Sequence, residues 1–141
     1  PQRCQRRSSE QAIESHTNIL LIDSIGEMMQ AFQLSQKAFI GGSLVNEFFK
    51  GTGGHNPIEP LIAGNQISMG SSRFNFASIC QQLDEQQLLT HSNNAENLAV
   101  WLTHPIPEDY QSTTAKWLET QKGALAIHLQ IIDKLMTSLE F

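Results

Sequence analysis

Short apolar runs alternate with helical patterns along most of this chain, and this alternation constrains its fold more than any other feature. The runs at 18–23, 37–42, 66–70 and 88–91 predict strands, and the segments between them carry the capping residues and apolar faces typical of helices. A continuous apolar run such as 18–23 is typical of a strand buried in a parallel sheet. The pattern therefore predicts an α/β fold, in which a parallel sheet has helices on both faces.

The length and composition are those of one globular domain. The chain has 141 residues and a net charge of -5, so general nucleic-acid binding through a basic surface is excluded. No apolar run approaches the roughly 18 residues that cross a bilayer. We expect residues 18–141 to form the domain and residues 1–17 to be a polar, partly disordered segment. Because the first residue is Pro1 rather than Met, we expect a fragment of a longer protein.

The residue pattern gives no sign of a metal site or of a catalytic nucleophile. Cys4 and Cys80 lie too far apart in sequence for a metal or redox motif. No pair of histidines has helical metal-binding spacing, and no serine, cysteine or lysine motif of a known catalytic kind is present. We therefore expect no metal ion, no cofactor and no catalytic residue within this chain.

A glycine pair leads directly into a predicted helix start. Gly53 and Gly54 precede Asn56, which is a favourable N-cap, while Pro57 suits the first helical position and Glu59 the third. Such a terminus presents unpaired backbone N–H groups and the positive end of the helix dipole. Glycines allow a ligand to approach the backbone closely. The motif therefore predicts a site for a phosphate-bearing ligand.

Further polar candidates lie at the same edge of the predicted sheet. Gly41, Gly42 and Ser43 follow a strand, and ligands of parallel sheets bind outside the carboxyl ends of the strands. These residues form either a backbone cradle for a ligand or a tight exit from the strand. His55 either donates to a phosphate or sugar oxygen, or packs against the loop. Glu59 either completes a capping box or accepts hydrogen bonds from a ribose.

One apolar stripe marks the end of the chain. Its residues are spaced by four and three positions, as on one face of a helix, and are Leu125, Leu129, Ile132, Met136 and Leu139. We expect this stripe to pack into the core rather than to form a groove for a partner.

Several motifs together resemble the C-terminal half of the 3-deoxy-D-manno-octulosonic acid (Kdo) transferases. They are the segments 23–27 (DSIGE), 38–45 (AFIGGSLV), 53–60 (GGHNPIEP) and 74–76 (FNF). The resemblance extends from about Arg7 to about Leu135. It implies a GT-B glycosyltransferase, in which two Rossmann-like domains flank a cleft, and it makes this chain the C-terminal, donor-binding domain.

The resemblance also implies a reaction and a location. The donor would be CMP-Kdo, and the acceptor a lipid A precursor bound by an N-terminal domain that this chain does not match. Transfer would invert the anomeric carbon without a metal ion, as a step of lipopolysaccharide biosynthesis. The full-length protein would act at the membrane surface, on the cytoplasmic face of the bacterial inner membrane. The membrane anchor and the catalytic carboxylate belong to the N-terminal half in the family, so this fragment would be soluble and inactive alone.

The resemblance assigns donor-binding residues by position. Those expected to line the donor pocket are Gly41, Gly42 and Ser43, and those expected beside the phosphate are Gly53, Gly54, His55 and Asn56. Glu59 would hold the ribose, and Asn75 matches an Asn-Phe element of the family. An Arg-Ser element before the first strand is matched at Arg7 and Ser8.

Two departures from the family pattern leave alternatives open. The connection at 46–52, with Phe48 and Phe49, is longer than usual and could be a lid, a membrane-facing contact or a disordered insertion. The family's Gly-Pro-His is replaced by Gly-Ser-Ser at 70–72. The alternative functions are a nucleotide-binding module without catalysis and the donor domain of a GT-B transferase that uses a UDP-sugar.

Overall fold

The structure, a computed structural model, describes residues 3–9 and 11–139. The strands are β1 Cys4–Arg6, β2 Ile19–Leu21, β3 Lys37–Ile40, β4 Gln66–Met69 and β5 Leu89–His91. The helices are α1 Met28–Leu34, α2 Ile58–Ile62, α3 Ala77–Glu85, α4 Ala95–Thr103, α5 Tyr110–Thr120 and α6 Ala124–Leu139. Single 3-10 turns lie at Arg7–Ser9 and Phe74–Phe76.

A parallel three-stranded sheet in the order β3-β4-β5 forms the centre of the molecule. Ile40 is paired with Met69 across β3 and β4, and Ile67 with Leu89 across β4 and β5. Helices follow each of these strands along the chain, as expected when parallel strands are joined by crossover connections. The predicted α/β fold with parallel strands is therefore confirmed.

The core lies on one face of this sheet. Strand residues there are buried together with side chains of α2, α3 and α5, and the cluster includes Ile40, Ile67, Met69, Leu61, Leu83 and Trp117. Lys37, which alternates with the buried Ala38, points to the other face. Its Nζ donates to the carbonyls of Trp101 (2.6 Å) and Leu102 (3.1 Å) at the end of α4. Helices thus lie on both faces of the sheet.

Ser24 and Glu27 have the sequence spacing that predicts a capping box, but no such box forms at the start of α1. The helix begins at Met28, and Ser24 Oγ donates to the Glu27 carboxylate instead of capping the backbone. Gly26 precedes the helix with φ of +91°, a conformation that residues with a Cβ rarely adopt. The turn itself therefore requires this glycine.

The first two strands form a separate parallel pair, with Cys4 opposite Ile19 and Arg6 opposite Leu21. β1 lies in the segment for which we predicted no regular structure. β2 was predicted to be buried, but Ile19 is 43% exposed and Leu21 48% exposed. Among the described residues β2 has no ladder to β3, so the larger sheet leaves it uncovered. The predicted burial of β2 is wrong.

The C-terminal apolar stripe is also exposed. The exposed fractions are 52% for Leu129, 52% for Ile132 and 63% for Met136, while the side chains of Leu125 and Leu139 lie outside the described part. The predicted core packing is wrong for the described members. A break at Gly123, with φ of +110°, separates α5 from α6 and was not anticipated. None of the helices in the described chain is long and apolar enough to cross a membrane.

Tyr110 ties α5 to the sheet through its buried hydroxyl. The hydroxyl donates to the carbonyl of Leu88 (2.8 Å) and accepts from the amide of Ile67 (3.2 Å). Burial raises the pKa of Tyr110 to about 12, although the hydrogen bond from the Ile67 amide opposes this shift. The protonated phenol is therefore part of the folded state.

We predict that the free energy of unfolding falls between pH 10 and pH 12 because of Tyr110. An unfolded chain releases the phenol proton near pH 10, whereas the folded chain holds it to about pH 12, so alkali favours the unfolded state across this window. Tyr110→Phe should lack this contribution. It should also lower stability by about 2 kcal/mol near neutral pH, because two buried backbone groups lose their partner. Urea unfolding of both proteins measures these differences; an equal alkaline loss in the variant would contradict the prediction.

Candidate functional site

A cavity of about 360 Å³ lies between α1 and α2 at the carboxyl end of β3. Its lining residues are Met28, Phe32, Phe39, Ile40, Gly41, His55, Asn56 and Glu59. Four of these are predicted site residues: Gly41 follows β3, while His55, Asn56 and Glu59 belong to the segment 55–59. The structure therefore brings Gly41 together with His55, Asn56 and Glu59.

Apolar side chains of α1 and β3 form one wall of this cavity, and sequence reasoning missed them. In the sequence, Met28 and Phe32 are apolar positions of a helical pattern with no sign that they border a cavity; in the structure Met28 is 55% exposed. Asn65, just after α2, holds α1 in place by donating from Nδ2 to the carbonyl of Phe32 (3.0 Å). The alternation of side chains along β3 could have identified Phe39. It lies between the buried Ala38 and Ile40, so its side chain is on the opposite face of the strand.

Backbone hydrogen bonds close the long connection between β3 and α2 into a loop. The carbonyl of Gly42 accepts from the amides of Thr52 (2.8 Å) and Gly54 (3.2 Å). The carbonyl of Gly41 accepts from the amide of His55 (3.1 Å). The residue that leaves the strand is thus fixed directly against the residues that enter the helix.

Ser43 does not line the cavity but joins two strand ends through its side chain. It is fully buried, and its Oγ donates to the carbonyl of Ile40 (2.5 Å) and accepts from the amide of Gly70 (2.8 Å). The hydroxyl therefore joins the carboxyl ends of β3 and β4. Its predicted role in donor binding stays a prediction.

Gly53 and Asn75 also hold the shape of the loop. Gly53 donates its amide to Ser72 Oγ (3.0 Å), so one serine of the Gly-Ser-Ser segment anchors the glycine pair. Asn75 Nδ2 donates to the carbonyls of Thr52 (2.8 Å) and Gly54 (3.3 Å). None of these residues lines the cavity, and their predicted contact with the donor remains untested.

α2 begins at Ile58 with Pro57 immediately before it, so Asn56 lies one residue earlier than the N-cap position, and its side chain bonds the start of the helix. Its Oδ1 accepts from the amide of Ile58 (2.9 Å), and its Nδ2 donates to Glu59 Oε1 (3.1 Å). The glutamate thus bonds the side chain of the capping residue rather than its backbone. The second carboxylate oxygen of Glu59 has no donor among the described residues, so it can accept from a bound molecule.

The expected row of unpaired amides is largely absent. The amides of Gly53, Gly54, His55 and Ile58 all donate to acceptors of the protein itself. Within the described chain, the amide of Asn56 has no such acceptor. The prediction was wrong for the other positions because the loop uses their N–H groups to close on β3 and on Ser72.

Comparison with known proteins supports the resemblance seen in the motifs. No protein-family profile matches the chain. It is 39% identical over 89 residues to the 3-deoxy-D-manno-octulosonic acid transferase of Haemophilus influenzae, a match that covers 63% of this chain and 20% of that protein. It is 28% identical over 126 residues to the enzyme of the same name from Rickettsia felis, covering 84% of this chain and 26% of that protein.

A solved structure shares the fold. The crystal structure of the C-terminal CMP-Kdo binding domain of WaaA from Acinetobacter baumannii matches with a TM-score of 0.71 at 30% identity. The match covers 86% of this chain and 62% of that domain. In sequence and in fold, the chain matches the C-terminal domain of Kdo transferases. It corresponds to the C-terminal GT-B domain, and it spans about a fifth to a quarter of the length of the transferases quoted above.

A polar cluster precedes α1. Arg7 is paired with Glu27 (3.0 Å) and Arg6 with Asp23 (2.9 Å). The pKa of Asp23 is lowered, first by the hydrogen bond from the Ser8 hydroxyl (2.8 Å) and then by that from the Ser8 amide (3.0 Å). The Arg-Ser element is therefore anchored to the turn before α1, and the charge of each arginine is matched by a carboxylate.

A second cavity, of about 370 Å³, lies beyond the end of β4. Arg73 and Asp84 are among its lining residues and form an ion pair with a separation of 3.0 Å. No predicted donor-binding residue lines this space. The cavity at the end of β3 is therefore the better candidate for the donor site.

The long connection at 46–52 lies outside the lining of both cavities. Asn46 Oδ1 accepts from the amides of Phe48 (2.9 Å) and Phe49 (2.8 Å), which forms a tight turn. The side chain of Phe48 is 90% exposed.

We predict that alanine lowers stability at one glycine of the site and has almost no effect at another. Gly54 has φ of +73°, and an added Cβ would lie 2.5 Å from Cε of the buried Met69, so Gly54→Ala should lower stability by about 1–3 kcal/mol. An added Cβ at Gly41 meets no atom within 4 Å, so Gly41→Ala should change stability by about 0.5 kcal/mol or less. Urea unfolding measures both variants; equal losses would contradict this description of the loop.

Proposed function

We propose that this chain is the donor-binding domain of a Kdo transferase and that CMP-Kdo binds in the cavity at the end of β3. One observation carries the proposal: Gly41, His55, Asn56 and Glu59 line a single cavity at the edge of the sheet where ligands of such folds bind. The solved domain that shares the fold is described as CMP-Kdo binding. The volume of the cavity lies in the range of small-molecule sites.

The two ends of the cavity suit different parts of a nucleotide. The side chains of Met28, Phe32 and Phe39 offer apolar contact to a flat base or to the faces of a ribose. Glu59 is an acceptor that a phosphate would repel but that ribose hydroxyl groups satisfy. The carboxylate is held by Asn56 at 3.1 Å, so it is oriented before the ligand arrives. We therefore assign the ribose to Glu59.

The phosphate then belongs beside His55 and the start of α2. The free amide of Asn56 and the positive end of the short helix favour negative charge there. The same groups would stabilise the charge that develops on CMP as it leaves the sugar. Following the family resemblance, we propose that transfer inverts the anomeric carbon without a metal ion and that the acceptor is a lipid A precursor. The acceptor and the membrane surface would be contacted by the rest of the full-length transferase.

We predict that Glu59→Ala weakens the binding of cytidine monophosphate (CMP) about tenfold, because hydrogen bonds from the ribose to a carboxylate are lost. The affinity for inorganic phosphate should stay the same or rise, because a negative charge is removed. Isothermal titration calorimetry of the 141-residue chain measures both ligands.

Glu85→Ala is the matched control, since Glu85 is an exposed residue at the end of α3 and away from the cavity. It should bind CMP as the unchanged chain does. An equal loss of CMP and phosphate affinity in Glu59→Ala would contradict the ribose assignment. Tighter binding of UMP than of CMP to the unchanged chain would favour a UDP-sugar donor instead.

A further inference from the structure

His55 is held by one carbonyl group through two hydrogen bonds. Its amide donates to the carbonyl oxygen of Gly41 at 3.1 Å, and its ring Nδ1 lies 3.0 Å from the same oxygen. The ring also packs against Gly42, where an added Cβ would lie 3.2 Å from Nδ1 and 3.4 Å from Cε1. The imidazole is therefore fixed in position and orientation beside the cavity.

The contact with Gly41 decides which nitrogen of His55 carries a proton. A carbonyl oxygen can only accept, so Nδ1 must be the donor whether the ring is neutral or charged. Nε2 is then an acceptor in the neutral ring and a donor only in the protonated ring. The chemistry that His55 offers to a ligand thus changes with the protonation of this single atom.

We propose that His55 binds the phosphate of the donor through a protonated Nε2, so that donor binding takes up a proton at this residue. The inference rests on the proposed function and specifies how the site recognises the phosphodiester. A phosphodiester has acceptors and no donor, so it cannot bond a neutral Nε2. Protonation of His55 replaces this mismatch with a charge-assisted hydrogen bond.

Besides His55, the amide of Asn56 is one of the few groups of the cavity lining that can donate to a phosphate. The amides of Gly53, Gly54 and Ile58 are already bonded to protein acceptors, which leaves few donors for a phosphate. The cavity residues from α1 and β3 are Met28, Phe32, Phe39, Ile40 and Gly41, and none of them titrates or donates from a side chain.

The other charges near the cavity are accounted for. Glu59 is the titratable residue that α2 contributes to the lining, and it repels a phosphate rather than binding it. Glu27, which precedes Met28, is paired with Arg7 at 3.0 Å. Since no lysine or arginine is among the lining residues, protonated His55 is the positively charged side chain of the cavity lining.

The test uses CMP methyl ester, a phosphodiester whose own charge does not change in the range used, and compares it with cytidine. We expect the 141-residue chain to bind the ester about tenfold more tightly near pH 5.5 than near pH 8, because protonated Nε2 adds a hydrogen bond to an ion. Cytidine binding should be unchanged over this range. Dissociation constants from calorimetry or NMR titration provide the measurement.

Matched variants separate His55 from other titrating groups. His55→Asn keeps a donor for the carbonyl of Gly41 at the place of Nδ1 and removes Nε2, so the pH dependence should vanish. Glu59→Gln should weaken the ester but keep the pH dependence. His104→Gln, at an exposed residue beyond α4, should behave like the unchanged chain.

The outcomes distinguish this inference from the proposed function. Ester binding with equal affinity at both pH values, or a pH dependence that persists in His55→Asn, overturns the role of His55 but leaves the site intact. Weaker binding at low pH shows that Nε2 accepts from a hydroxyl group, which also overturns it. No binding of CMP or its ester at any pH contradicts the proposed function itself. A histidine ¹⁵N spectrum that places the neutral-ring proton of His55 on Nε2 overturns the tautomer assignment.

Discussion

The carbonyl group of Gly41 is the contact on which the site depends. It accepts from both the amide and the ring of His55, and so fixes the entrance of α2 against the end of β3. The cavity exists because this connection closes, with α1 held as its other wall. The same closure removes amides that would otherwise face a ligand and leaves the ring of His55, the amide of Asn56 and the carboxylate of Glu59 as polar groups of the cavity lining.

The sequence was sufficient for the local and the repetitive features. Strands β3, β4 and β5 could be predicted because continuous apolar runs alternate with helical patterns, and their parallel pairing follows from the crossover connections. The hydrogen bond between Asn56 and the start of α2 was predictable because such contacts depend on a few adjacent residues. The meeting of Gly41 with the 55–59 segment followed from one rule, that the carboxyl ends of parallel strands share an edge.

Other features depend on contacts between distant segments and could not be predicted. The amide of Gly53 donates to Ser72 Oγ, and the amide of Gly54 donates to the carbonyl of Gly42. The apolar character of a residue does not show where its side chain packs. Phe32 and Met28 line the cavity, while Ile19 and Ile132 are exposed. Periodicity shows that a face is apolar, but only the neighbouring elements determine whether it is covered.

The central claim is that the cavity at the end of β3, rather than the one beyond β4, receives the nucleotide. Intermolecular nuclear Overhauser effects between CMP and the 141-residue chain test it most directly. The account predicts contacts from ribose and base protons to the methyl group of Met28 and to the rings of Phe32 and Phe39. Contacts instead to Phe74 and Ala77, which line the other cavity, would contradict it.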